Sequence, residues 1–232
     1  MPDQTDFERA WLAKLARSLD KVASEQVRRE VMEGSDRLSS ASDRQEVSDW
    51  SCQAMARLEA AVDSDQAREV MTGCACQYPR ENLADVRRAY ADSGDVDVAL
   101  SMLHEKFLSL LRDTLALDEE TVATIIANGW GLAGVRKGDT IVATKIPKSG
   151  YLIDYLREPD CEKKRALYCH CPRVRDVLKT SGTIPEVYCY CGAGYYKGIW
   201  EEILRQPVEV ELLKSVLKGD DVCTVAIHLP RG

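Results

Sequence analysis

A chain of 232 residues is long enough for one substantial domain, burying roughly 70% of the surface its unfolded form exposes without staples. Its 45% hydrophobic and 30% charged residues are an ordinary globular composition. With 31 Lys+Arg against 38 Asp+Glu, the net charge of −7 disfavours a nucleic-acid partner, whose phosphates need a basic patch.

The N-terminal stretch MPDQTDFERAWLAKLARSLD is charged from its third residue, so it does not read as a secretory signal. No segment approaches the ~18 uncharged apolar residues that a spanning helix needs. The expected location is cytoplasmic. Phe7, Trp11, Leu12, Leu15, Leu19 and Val22 recur at helical spacing and predict a helix from Phe7 to about Arg29. Residues 34–48 are polar and serine-rich, a loop or a solvated helix end. Trp50, Met55, Leu58, Ala61 and Val62 mark a second helix, and Ala99, Leu103, Phe107, Leu110 and Leu111 a third over 96–111. Asp118 is placed to cap a fourth, running through Val122, Ile125 and Ile126 and stopping at Asn128-Gly129.

Beyond this point the period changes. Strands are expected at 139–146, 167–171, 187–191, 208–213 and 222–229, with helices at 174–179 and 195–205. The fold class is therefore α+β: a helical N-terminal part, 1–130, packed with a twisted, mainly antiparallel sheet bearing inserted helices, 131–232.

Nine cysteines are many for a chain with no export signal, and they point to thiols or metal ligands rather than a disulfide framework. Cys169-His170-Cys171 and Cys189-Tyr190-Cys191 share one spacing. On a strand, Cys169 and Cys171 would face one way, as would Cys189 and Cys191. If the two strands are neighbours, four thiols converge. They could hold zinc or another soft metal, supply a nucleophile with its resolving partner, form a reversible disulfide, or fill one sheet face. Cys74 and Cys76 form a third pair, either completing a cluster or ending a helix. Cys52 and Cys161 read as isolated core or surface thiols. His170 faces away from its neighbouring cysteines on a regular strand, and His104 and His228 have still less claim as ligands.

The run Cys191-Gly192-Ala193-Gly194-Tyr195-Tyr196-Lys197-Gly198-Ile199-Trp200-Glu201 leads through glycines into a helix, an arrangement that can offer N–H groups to an anion. A tight turn with no ligand is the plainer account. Gly192, Gly194, Gly198 and Tyr195 are the candidate ligand contacts. Cys191 and Glu201 are the candidate catalytic groups, one as nucleophile and one as proton carrier.

Toward the C-terminus, Glu211, the Gly219-Asp220-Asp221 turn and Cys223 opening the last strand resemble the final hairpin of the 4-vinyl-reductase domain superfamily and of 2-aminothiazoline-4-carboxylate hydrolase-like families. The resemblance covers about 185–230. Ser215 stands where many members of the reductase-domain group have a cysteine. The resemblance implies helices lining one side of a twisted antiparallel sheet and enclosing an apolar ligand. In the hydrolase-like branch it implies opening of a small sulfur–nitrogen heterocycle. Three functions are thus in view: a small-molecule-binding protein with a cysteine-lined, zinc-holding or thiol site; a hydrolase of a small C–N bond; and an interaction protein stabilised by a thiolate metal centre. The expected partner is a small-molecule ligand, with neither nucleic acid nor membrane, and a homodimer is the oligomeric option.

Overall fold

The computed structural model describes residues 6–179 and 183–230. They form eleven α-helices and one four-stranded sheet. The chain divides into two compact units: Met1–Cys76 with Cys169–Gly194, and Gln77–Tyr168 with Tyr195–Gly232. No helix among the described residues is long and apolar enough to cross a membrane.

The first unit is helical. The long N-terminal helix predicted from the sequence is two helices, α1 (Phe7–Val22) and α2 (Glu25–Val31), because Ser24 turns the chain and caps α2 by accepting from Val27 N–H. α3 (Arg44–Ala61) starts inside the polar stretch, where Asp43 accepts from Gln45 N–H. α4 (Ser64–Gly73) opens on a capping box of Asp63 and Gln66. Trp11, Leu15, Leu19, Trp50, Met55, Leu58, Val70 and Met71 are buried as the core of this unit. α1 and α4 lie close together: Ser18 Oγ donates to Val70 O over 2.7 Å, and a Cβ on Gly73 would stand 2.9 Å from Ser18 Cβ.

In the second unit, α5 (Ala84–Ser93) and α6 (Val96–Ser109) precede α7 (Glu119–Ala127). Asp118 caps α7 by accepting from Thr121 N–H, and Gly129 ends it with a left-handed φ of 67°, as the sequence predicts. The sheet runs β1 (Val135–Lys137), β2 (Thr140–Thr144), β4 (Thr224–His228), β3 (Glu209–Lys214), every pair antiparallel. β2 and β4 fall within the expected strands, β3 runs one residue past the end of its own, and β1 is an unpredicted three-residue edge. Central β4 buries Thr224, Val225, Ala226 and Ile227 in succession. α8 (Leu152–Arg157) and α9 (Cys161–Tyr168) complete the unit with most of α11 (Tyr190–Leu204), which contributes 190–194 to the first unit and 195–204 to the second.

Two expected strands are not strands. Residues 167–171 are the end of α9 and the entry to α10 (Pro172–Val177), while 186–189 form a 3₁₀ turn that runs directly into α11. Pro172 occupies the first turn of α10, where its missing N–H costs nothing, and Pro185 immediately precedes the 3₁₀ turn. The glycines at 192 and 194 therefore lie inside a helix rather than in a strand-to-helix turn.

Candidate functional site

Helical backbone removes the alternation that was to align the four cysteines. Cys169 is buried just after α9, Cys171 caps α10, Cys189 ends the 3₁₀ turn, and Cys191 lies in the first turn of α11. Among the described residues no group of three His, Cys, Asp or Glu side chains is placed to hold a metal ion. Among those residues the four cysteines are not gathered into the cluster that was one of their possible arrangements. All nine cysteines are thiols.

What the first unit does gather is a thiol beside a buried cation. Arg173, wholly excluded from solvent on α10, donates through Nη2 to Glu8 of α1, which is itself 1% exposed. Glu8 also accepts from Arg44 Nη1 at 2.8 Å, and Arg44 Nε reaches Asp176 at 2.8 Å. Four charges thus form a balanced chain from core to surface. The Arg173 guanidinium lies 4.0 Å from the centre of the Trp11 ring, which stacks on Tyr188 at 5.6 Å. The Tyr188 hydroxyl is 3.4 Å from Cys171 Sγ.

Burial opposes the charge on Arg173, but Tyr188, Glu8 and Cys171 outweigh it, so the guanidinium pKa lies above its ordinary value. Even so, among the described residues Nε and Nη1 reach no acceptor in hydrogen-bonding geometry. Each such buried donor costs roughly 1–3 kcal/mol. Burial likewise pushes the Tyr188 phenol well above its usual pKa, reinforced by Cys171 and Cys191 and opposed by Arg173, so it stays protonated and able to donate. Cys171 is half-buried, whereas Tyr188 and Arg173 are sealed.

A second sulfur contact adjoins this group. Cys191 Sγ lies 3.5 Å from the Cys74 carbonyl oxygen, and Cys74 Sγ donates to Val70 O at 3.3 Å. Burial first, and then Cys191, push the Cys74 thiol well above its usual pKa, against Lys14 and Arg173. Of the two readings for Cys74 and Cys76, the helix-end turn fits: Cys74 is the C-cap of α4 and fully buried, while Cys76 is exposed.

The remaining candidates have structural partners. Glu201 Oε1 accepts from Lys197 Nζ at 2.6 Å and from Val208 N–H at 3.3 Å, tying the end of α11 to the approach to β3. A Cβ on Gly194 would overlap the Thr72 carbonyl oxygen and stand 2.8 Å from the Thr72 carbonyl carbon, so that glycine permits α11 to approach α4. At Gly198 the neighbour a Cβ would meet among the described residues is Gln77 Oε1, at 3.4 Å. Tyr195 packs edge-on against Tyr78 and Tyr196, at 6.3 and 5.6 Å. Gly192 is half-buried in the first turn of α11. In the final hairpin, Cys223 N–H donates to Tyr168 Oη, and Ser215 Oγ accepts from Leu217 N–H.

Sequence reasoning missed Glu8, Arg173 and Tyr188. One signal was present: Glu8 falls on the same helical stripe as Trp11, Leu12, Leu15 and Leu19, where an unpartnered carboxylate would be costly.

A family of unknown function (DUF6144) matches residues 163–231, less than a third of the chain. The match spans Cys171, Arg173, Tyr188 and Cys191 but not Glu8 or Cys74. Neither a curated protein nor a solved structure matches the chain.

Proposed function

We propose that this protein binds a small molecule at a thiol site in its first unit, with Cys171 as the group that meets the ligand. The observation that carries the reading is the Cys171–Tyr188 contact beside a buried guanidinium, two of whose nitrogens have no partner among the described residues. Cys171 is half-buried rather than sealed. Negative charge developing on it, or on a ligand held there, meets a protonated phenol and a cation fixed by Glu8 and Trp11. Such a site suits a compact electrophile, an activated carbonyl or a disulfide, attacked by sulfur.

The test is site-resolved alkylation. Iodoacetamide is added in pulses, and each cysteine is followed by peptide mass spectrometry. Cys171 is expected to react faster than the more exposed Cys76 and Cys161. Tyr188→Phe removes a hydrogen bond to developing charge and should slow Cys171 by about tenfold, leaving Cys76 unchanged. A Cys171 rate no higher than that of Cys76 overturns the proposal.

A further inference from the structure

The close approach of α4 and α11 brings the Cys191 sulfur against the Cys74 backbone, separate from Cys171. We infer that Cys74 and Cys191 form a reversible disulfide, with Cys191 as the thiol that meets oxidant and Cys74 as the one that resolves it. Cys191 Sγ is 3.5 Å from the Cys74 carbonyl oxygen. Adding the C=O and Cα–C bond lengths puts that sulfur within about 6 Å of Cys74 Cα. The backbones are already in contact one turn along, where Gly194 lies against Thr72. A disulfide needs Cα atoms about 4.4–6.8 Å apart, and with the Cys191 sulfur already at the Cys74 backbone, the closing step is rotation of both side chains, Cys74 Sγ leaving Val70 O.

Exposure sets the order of events. Cys191 is half-buried, whereas Cys74 is fully excluded from solvent at the end of α4. A peroxide therefore meets Cys191 first. The sulfur attacks one peroxide oxygen, the O–O bond breaks, and the products are Cys191 sulfenic acid and water. Cys74 sulfur then attacks Cys191 sulfur and displaces hydroxide, which takes the Cys74 proton and leaves as a second water. Two thiols are oxidised to one disulfide, and one peroxide is reduced to two waters. Dithiothreitol reverses the bond by thiol–disulfide exchange.

This inference does not depend on Cys171. The full chain is treated with hydrogen peroxide, digested without reduction, and mapped by mass spectrometry. The expected dominant cross-link joins the peptides carrying Cys74 and Cys191, disappears on reduction, and persists in Cys171→Ser. Cys191→Ser, at the more exposed partner, should abolish the link and leave Cys74 reduced. A dominant link from Cys191 to Cys171 or Cys189, or accumulation of Cys191 sulfinic acid with Cys74 still a thiol, overturns it. Slow alkylation of Cys171 would defeat the ligand-site proposal while leaving the Cys74–Cys191 link in place.

Discussion

Two glycines on α11, four residues apart, should respond oppositely to the same substitution. Alanine in a helix interior is favoured over glycine by about 0.5–1 kcal/mol, because glycine loses more backbone freedom on folding. At Gly198 little opposes that gain: among the described residues the new methyl would meet the end of the Gln77 side chain, at 3.4 Å. At Gly194 it would meet the Thr72 backbone, with the carbonyl carbon and Cα both at 2.8 Å and the oxygen closer still. Ordinary contact begins near 3.4 Å, so α4 or α11 must move by roughly an ångström or more to clear the oxygen. Overpacking of this kind costs about 1–3 kcal/mol, toward the upper end where neither neighbour is a flexible side chain. Gly194→Ala is thus expected to destabilise by about 2 kcal/mol and lower Tm by about 4–8 °C. Gly198→Ala should raise Tm by about 2 °C. Urea titration and thermal melts followed by circular dichroism measure both variants against the parent. If Gly194→Ala is neutral or stabilising, the close approach of α4 and α11 is wrong, and the geometric basis for the Cys74–Cys191 pair goes with it.

Replacing Glu8 by Gln leaves the buried Arg173 charge without its carboxylate and should cost about 3–5 kcal/mol, read as a lower urea midpoint. A loss under about 1 kcal/mol would mean that Arg173 has another counter-charge. Alkaline pH should also unfold the protein. Burial, the largest cause in each case, raises the pKa values of the Tyr168, Tyr188 and Tyr196 phenols and the Cys74 and Cys223 thiols. The unfolded chain releases these protons near pH 8.5–10 while the folded chain retains them, so stability is full below that range and falls above it. Each group contributes a slope of about 1.4 kcal/mol per pH unit. Phenolate absorbance from these three tyrosines should appear only as the chain unfolds. Stability that stays flat from about pH 8 to 11 would contradict their burial as neutral groups.

Local periodicity and capping made much of the architecture legible in the sequence. Asp118 and Gly129 bound α7, and the β-branched alternation around Ile141 and Val225 marks β2 and β4, because these signals depend on neighbours in the chain. The cysteine segments misled for the same reason. Tyr-Cys-His-Cys and Tyr-Cys-Tyr-Cys alternate and are rich in strand-favouring aromatics, yet Tyr168 ends a helix, Pro172 begins another, and Pro185 precedes a helical turn in which Tyr188 is buried. Cys-x-Cys spacing marked these residues as chemically distinctive. What each thiol meets was decided by packing: α4 against the 3₁₀ turn and the start of α11, and α1 against α10 through Glu8 and Arg173. Glu8 and Arg173 are 165 positions apart and Cys74 and Cys191 117 apart. No local propensity encodes such pairings, because they exist only once burial makes an unpaired charge or an imperfect contact costly.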